Sequence, residues 1–439
     1  MKIGIRQEVL MDALNKGAIA SVSKDAQIDT SNLALLIQSI KITVDDKKFT
    51  IESSTDRMSA KYSLPATKED GIAVKETGCI LIPAQELIKW VSAQGKDSTI
   101  NMTLSELATP EIINTLDDID VSDSTDRFMI KKIGSVNLVA KDDKKVCSKW
   151  KLDCYDPDQV KSITFPSKLP KCFEMGGSQL ESALSNVLIA VLDRDYEHIL
   201  DSISIQTCNG ELFFAATDTK RCALYKIPSD GVSGIEKENP ISMLVQAVLL
   251  DPVSKILNKE EPLTFTYDED NKKVFITQKN LKIRLASTDK EVVEKFPNIK
   301  MLLEKEYKAL TSISRDSFAK VLATTALVNR ESALFSFNNE KDILSIKAIS
   351  EDGKYDPNIS NCSAPNSSKD VVVVWNPSHI MDSLKIVKDC DISLCIPDNL
   401  KSVKIIGNDG DKLMYFAMAV DNPKYATETE ETEETEETE

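Results

Sequence analysis

The side chains with which this chain could bind a metal or run covalent chemistry are nine cysteines, two histidines and 70 carboxylates. Cys79, Cys147, Cys154, Cys172, Cys208, Cys222, Cys362, Cys390 and Cys395 include no CxxC pair, and only His198 and His379 could join them. Zinc needs closely spaced ligand pairs, so no zinc site is expected. An odd set of unpaired thiols fits reduced, mostly buried side chains in a cytosol-like compartment. Asp117-Asp118-Ile119-Asp120 could attract a cation. It lacks the ligand spacing and the glycine of a calcium loop, so a solvated acidic loop is the better reading. No phosphate-cradling glycine loop, HExxH or GxSxG motif occurs. The expectation is a protein that is not an enzyme and needs no cofactor and no metal.

What remains is charge and shape. With 41% apolar and 28% charged residues, 439 residues can build two to four domain cores. No apolar run approaches the roughly 18–20 residues of a membrane helix. The first residues, Met1-Lys2-Ile3-Gly4-Ile5-Arg6, read as a strand and lack the apolar stretch of a signal peptide. The net charge is −16, of which eight glutamates sit in the Thr/Glu-only stretch 427–439. Such a stretch cannot bury a core and is expected to be disordered.

The elements repeat. Leu10, Leu180 and Phe318 share a helical register with Leu14, Leu184 and Leu322, both sets at steps of 170 and 138. Apolar residues four apart lie on one helix face, which can dock on a sheet. Alternating strands then run into Thr55-Asp56 and Thr217-Asp218, a step of 162. A short apolar strand next leads into a second helix, at 79–83 before 84–96, at 241–245 before 247–259, and at 371–375 before 378–388. Each unit therefore reads as two helices with about eight strands, an α+β arrangement packed on antiparallel sheets. The domains are expected at 1–168, 169–303 and 304–422, followed by the acidic tail 423–439. The excess length of the first lies in 104–126, read as an acidic surface loop.

In this order the motifs resemble the bacterial beta sliding clamp of DNA polymerase III. Ala215–Ala223 is similar to the family's ATDGHRLA segment, Phe296-Pro297-Asn298-Ile299 to its FPD segment, and Tyr415–Val420 to its closing YVVMPM strand. Thr219 and Lys220 stand where the family has Gly-His, and Ala419 stands where it has proline. These departures suggest a divergent member, phage, plasmid or organelle encoded. The resemblance implies three clamp domains per chain and a head-to-tail homodimer closing a ring, with helices lining the hole. It implies a cytoplasmic processivity factor that encircles double-stranded DNA without reading sequence. The polymerase and the clamp loader would bind through short peptides, and no membrane would be involved. A clamp-fold scaffold that binds partner peptides without being loaded on DNA is the alternative.

The charge pattern is compatible with such a ring. The six helical stretches sum to +5 while the chain without its tail carries −8. A modest positive lining suits sliding, because phosphate contacts by Lys and Arg are independent of sequence. The candidates are Lys24, Lys89, Arg194, Lys255, Arg315, Lys320, Arg330, Lys385 and Lys388. Carried over from the family, the partner-peptide cleft would hold Leu200, Thr217, Thr219, Arg221, Cys222, Pro297, Met301, Leu302, Phe416, Met418 and Ala419. The ring interface would set Ala326 and Leu327 against Val136 and Leu138 of the other chain.

Overall fold

The computed structural model describes residues 1–23, 26, 34–114, 129–142, 145–166, 171–193, 195, 197–236, 240–338, 343–350, 354–360, 371–397, 399–407, 412–422 and 425. One succession of elements occurs three times along them. The first copy is β1 (Lys2–Arg6), α1 (Gln7–Gly17), a single turn α2 (Ala34–Ile37), β2 (Ser39–Val44), β3 (Lys48–Ser54), β4 (Met58–Pro65), β5 (Ile72–Glu76), β6 (Gly78–Pro83), α3 (Ala84–Ser92), β7 (Thr99–Asn114), β8 (Met129–Asp142) and β9 (Lys145–Tyr155). The second is β10 (Lys171–Gly176), α4 (Gly177–Val187), β11 (Ser202–Cys208), β12 (Glu211–Thr217), β13 (Arg221–Lys226), β14 (Val232–Ser233), β15 (Ser242–Gln246), α5 (Ala247–Ile256), β16 (Pro262–Asp268), β17 (Lys273–Gln278) and β18 (Leu281–Ala286). Two short helices follow, α6 (Lys290–Val293) and α7 (Ile299–Glu304). The third copy is β19 (Lys308–Ser314), α8 (Arg315–Val328), β20 (Ala333–Asn338), β21 (Ile343–Ile349), β22 (Lys354–Tyr355), β23 (Asn358–Ser360), β24 (Val371–Trp375), α9 (Pro377–Ile386), β25 (Asp391–Ile396), β26 (Ser402–Ile406) and β27 (Leu413–Met418).

Pairing repeats with the order. The opening strand of each copy pairs antiparallel with the strand after its second long helix: β1 with β7, β10 with β16, β19 with β25. The strand after the first helix pairs with the strand before the second: β2 with β6, β11 with β15, β20 with β24. The helices dock as the register predicts. Leu10 and Leu14 of α1, Leu180 and Leu184 of α4, and Phe318 and Leu322 of α8 are all buried. Burying such a side chain is worth roughly 1.5–3 kcal/mol over exposure. At Gly17 a Cβ would meet Ile51 Cβ at 2.6 Å, so α1 rests directly on β3.

The chain forms two compact units, Met1–Ser178 with Val248–Ser287, and Gln179–Ala247 with Thr288–Glu439. In the first unit eight strands run β10-β16-β17-β18-β4-β3-β2-β6, so β18 of the second copy pairs with β4 of the first. The strands β9-β8-β7-β1-β5 continue from β6 through one paired position, Leu81–Tyr155. In the second unit eight strands run β15-β11-β12-β13-β27-β26-β25-β19, joining β27 to β13. A separate sheet there runs β22-β21-β20-β24.

Two sequence expectations need correction, and two fall outside the described residues. Residues 104–114 are not loop but the far part of β7, paired with β8 as far as Asn114–Met129. Residues 115–128, with the Asp117–Asp120 cluster, lie outside the described residues, as does the Thr/Glu stretch 427–439. Val136 and Leu138 are fully buried, and β8 is paired on both sides by β7 and β9, so neither can face a second chain. Ala326 is also buried, whereas Leu327 beside it is 80% exposed.

A candidate partner cleft and the charged helix faces

The sequence motif around Thr217 forms a tight turn between β12 and β13, inside the second unit. Thr217 Oγ1 donates to Arg221 O at 2.7 Å and accepts from Thr219 N at 3.1 Å. Asp218 Oδ1 accepts from the backbone N–H of Lys220 and of Arg221 at 3.0 and 2.9 Å. Thr219 sits at φ +75°, in the left-handed region that favours glycine. That is the position where the resembling family has glycine, so the departure at 219 is stored here as backbone strain.

The turn places Arg221 at the start of β13. Its Nε donates to Asp218 Oδ2 at 2.8 Å and its Nη1 to Asp382 Oδ2 on α9. Burial disfavours the charge on Arg221, but Tyr415 and Asp218 beside it outweigh burial and raise its pKa. Tyr415 is buried, with its own pKa raised by that burial, and donates to His379 O at 2.8 Å. His379 titrates below its ordinary value because it is half-buried and faces the Arg221 charge. One residue on, Cys222 pairs across strands with Phe416. Burial pushes the Cys222 thiol up to about 12, so it stays a neutral apolar group.

Cys222 and Phe416 belong to one apolar cluster with Phe213, Leu244, Phe296 and Ile299. Leu302 and Tyr307 pack against it, and the Tyr307 and Phe416 ring centroids are 5.7 Å apart. Pro297 is exposed at the entry to α7, where Asn298 Oδ1 caps the helix by accepting from Lys300 N at 2.9 Å. Met301 on α7 is 70% exposed and Met418 at the end of β27 is 43% exposed. Large exposed apolar side chains at the edge of an apolar cluster are what a docking peptide needs. Ala419 N donates to Lys401 O at 2.9 Å, a bond that the family's proline could not make.

The structure thus gathers Thr217, Arg221, Cys222, Phe416 and Met418 onto three adjacent strands, β12, β13 and β27, with Thr219 in the turn between the first two and Leu302 packed on their cluster. Phe416 and Cys222 are floor rather than surface, being 3% and 8% exposed. Leu200 is half-buried, and its neighbour Ile199 is the residue packed on the cluster. Tyr307, His379, Asp382 and Tyr415 were missed by sequence reasoning. Only the strand pairing and helix packing bring them together, and no local motif marks Tyr307, His379 or Asp382, while Tyr415 lies in the closing-strand motif without being assigned to the cleft.

Of the candidate DNA-contacting residues, Lys24 and Arg194 lie outside the described residues. Lys89, Lys320, Arg330 and Lys388 are exposed. Lys255 is exposed and pairs with Asp251 at 2.7 Å, and Lys385 pairs with Asp382 at 2.5 Å. Arg315 has a different task. Its Nε and Nη2 donate to Leu384 O at 3.1 and 2.8 Å, and Nε also to Val387 O at 3.0 Å. It therefore caps the last carbonyls of α9 instead of reaching for phosphate. Lys385 and Lys388 line a cavity of about 430 Å³ with Lys412 and the polar side chains Ser182, Ser185 and Asn186 of α4. Lys412 was not singled out because it precedes a strand rather than lying on a helix.

Among the described residues no three His, Cys, Asp or Glu side chains converge as a metal site, and no helix is long and apolar enough to cross a membrane. Residues 300–421 match the family model of the DNA polymerase III beta subunit, C-terminal domain. The chain is 21% identical over 391 residues to the beta sliding clamp of Halalkalibacterium halodurans, covering 87% of this chain and 90% of that protein. The crystal structure of the DNA polymerase beta subunit of Streptococcus pyogenes superposes with a TM-score of 0.74 at 16% identity, over 96% of this chain and all of that one. A Pseudomonas aeruginosa sliding clamp, solved bound to griselimycin, superposes with a TM-score of 0.74 at 14% identity, again over 96% of this chain and all of that one. The chain has the sliding-clamp fold, its residues 300–421 match the C-terminal domain of the DNA polymerase III beta subunit, and most of its length is similar to bacterial beta sliding clamps.

Proposed function

We propose that the chain is a DNA sliding clamp, a cytoplasmic, non-catalytic processivity factor that closes into a ring as a head-to-tail homodimer around duplex DNA. One observation carries this reading. The repeats join through the same strand positions twice, β18 on β4 and β27 on β13. Continued once more, the series sets β9 against β22. Among the described residues β22 pairs only with β21, and β9 only with β8 apart from the single Leu81–Tyr155 position. Among the described residues both edges therefore lack a second partner strand over most of their length, and a head-to-tail pair of chains can satisfy both at once. Leu327, 80% exposed on the third repeat, and Val146, 49% exposed on β9, are apolar side chains suited to that seam. The interface residues assigned from sequence, Val136 and Leu138, lie one strand too far in.

In this reading the helix-borne lysines meet phosphates without reading bases, and the second-unit cleft takes the short peptides of the polymerase and the clamp loader. Light scattering of the purified chain should give a mass near twice 48.7 kDa that persists on dilution. Leu327→Glu should weaken the dimer by roughly ten-fold or more. Retention on circular DNA, lost on linearisation, should follow loading. A stable monomer that is never retained on circles would replace the ring with a peptide-binding scaffold.

A further inference from the structure

The first junction between repeats has a cavity of about 900 Å³, within the size range of small-ligand sites. The registers show what it corresponds to. Ser54 pairs with Ser59 across a four-residue turn, as Thr217 pairs with Cys222. Arg284 lies opposite Ser59, as Phe416 lies opposite Cys222. Glu52 holds the place of Ala215, and Lys41 opposite it the place of Ser204. The cavity is thus the counterpart of the partner cleft, with its apolar floor exchanged for charge.

That floor is built rather than incidental. Lys41, 9% exposed, donates to Pro157 O and Val160 O at 3.0 and 3.1 Å. Glu52, 5% exposed, is compensated through its Oε1, which pairs with Lys61 Nζ at 2.9 Å. Arg284 donates to Ser59 Oγ, and among the described residues no carboxylate pairs with it. Burial works against its charge, so an arriving anion would be favoured. Lys273 lines the same wall, and Leu36, Ile37, Val160 and Ile163 supply the apolar part. A half-buried guanidinium without a carboxylate is best satisfied by one, and it binds carboxylates in two-pronged fashion.

We propose that this cavity is a second peptide site, taking a short partner segment whose aliphatic side chains pack on Leu36, Ile37, Val160 and Ile163 and whose carboxylate meets Arg284. It rests on the reading of the second junction as a peptide cleft and does not depend on ring closure. The probe is acetyl-Leu-Leu-Glu-amide, titrated calorimetrically into the full chain beside acetyl-Leu-Leu-Gln-amide. The glutamate peptide should bind roughly ten-fold tighter than the glutamine peptide, and Arg284→Gln should remove that preference. Lys273→Gln, at a half-buried position on the same wall, should lower affinity several-fold while melting like the parent. Met418→Glu, in the other cleft, should leave binding unchanged. Equal binding of both peptides, loss with Met418→Glu but not with Arg284→Gln, or no binding at millimolar peptide would each overturn the proposal. So would binding that emerges only once residues 427–439 are removed, because the chain's own acidic stretch would then be the occupant.

Discussion

The two junctions between repeats are built on one backbone plan and finished with opposite side chains. At the second, β13 and β27 bring together Cys222 and Phe416 over an apolar cluster, with Arg221 held at the side by Asp218 and Asp382. At the first, β4 and β18 bring together Ser59 and Arg284, with Lys41 and Glu52 in the neighbouring rows. Met58 occupies the turn position that Arg221 holds at the second junction. Strand pairing therefore sets the frame, and the residues facing the turn decide what each frame can hold. A fold fixes where a site can be, and the side chains fix what it binds.

The largest way to break the second frame is to empty its floor. Phe416→Ala removes a ring that is 3% exposed and packed on Tyr307 and Cys222. Phenylalanine truncations in cores cost about 3–5 kcal/mol. Denaturant unfolding should show a loss of that size, together with loss of peptide binding. Arg284→Ala at the corresponding place should cost far less, because that side chain is half-buried and borders a cavity that already exists. Equal costs would mean that the two floors do not differ as described.

Arg221→Ala comes next. It leaves the carboxylates of Asp218 and Asp382, 13% and 18% exposed, without their shared cation. A charge-assisted pair lost at a partly buried site costs about 2–3 kcal/mol. Adding Asp382→Asn to the variant should recover part of that loss in the same unfolding measurement. Without such recovery, Arg221 would be acting through packing alone.

Thr219→Gly should have the opposite sign. A β-branched residue at φ +75° is strained, and glycine relieves it. Stability should rise by about 1 kcal/mol, read as a higher melting temperature. The first junction offers no such gain, since none of Thr55, Asp56 or Arg57 has a positive φ. The exposed Met418 is a still smaller matter for stability. Met418→Glu should change unfolding by no more than about 0.5 kcal/mol, while abolishing peptide capture by the cleft.

The threefold order was legible in the sequence because helix faces and strand alternation are local patterns with fixed periods. The register of Leu10, Leu180 and Phe318 predicted three docked helices, and all three residues are buried. The turn alignment was one residue out. The Thr-Asp match sets Thr55 beside Thr217, but pairing sets Ser54 there, and Thr55 takes the role of Asp218 by accepting from Met58 N. Identical letters outweighed strand register, which only pairing partners reveal. The ring interface failed for a related reason: alternation marks a strand without saying whether it lies at an edge, and β8 lies inside its sheet. Arg315 looked free because sequence records its charge and not the carbonyls of α9 that it caps. Tyr307 and Asp382 reach the cleft through contacts far apart in the chain, and nothing nearby announces them; Tyr415 lies in the closing-strand motif, which does not reveal that its hydroxyl meets His379 O.

His379 gives the finest separation of the two junctions, since among the lining residues of the first cavity there is no histidine. Its pKa lies below the ordinary 6.5 through burial and the nearby charge of Arg221; Asp218 and Asp382 oppose the shift, and Lys220 adds to it. The unfolded chain therefore takes up a proton near its ordinary pKa while the folded chain still resists. Stability is complete above that value and falls as pH drops through it, levelling off below the folded pKa. His379→Gln keeps the backbone bonds of residue 379, which accept from Tyr415 and reach Asn376. Between pH 7.5 and 5 the parent should lose more stability than this variant. Replacing Arg221 as well should not change the acid response of the glutamine variant, whereas Arg221→Ala alone should shrink that of the parent. Equal slopes for parent and His379→Gln would mean that the histidine titrates alike in both states, and that the charge of Arg221 is spent entirely on Asp218 and Asp382.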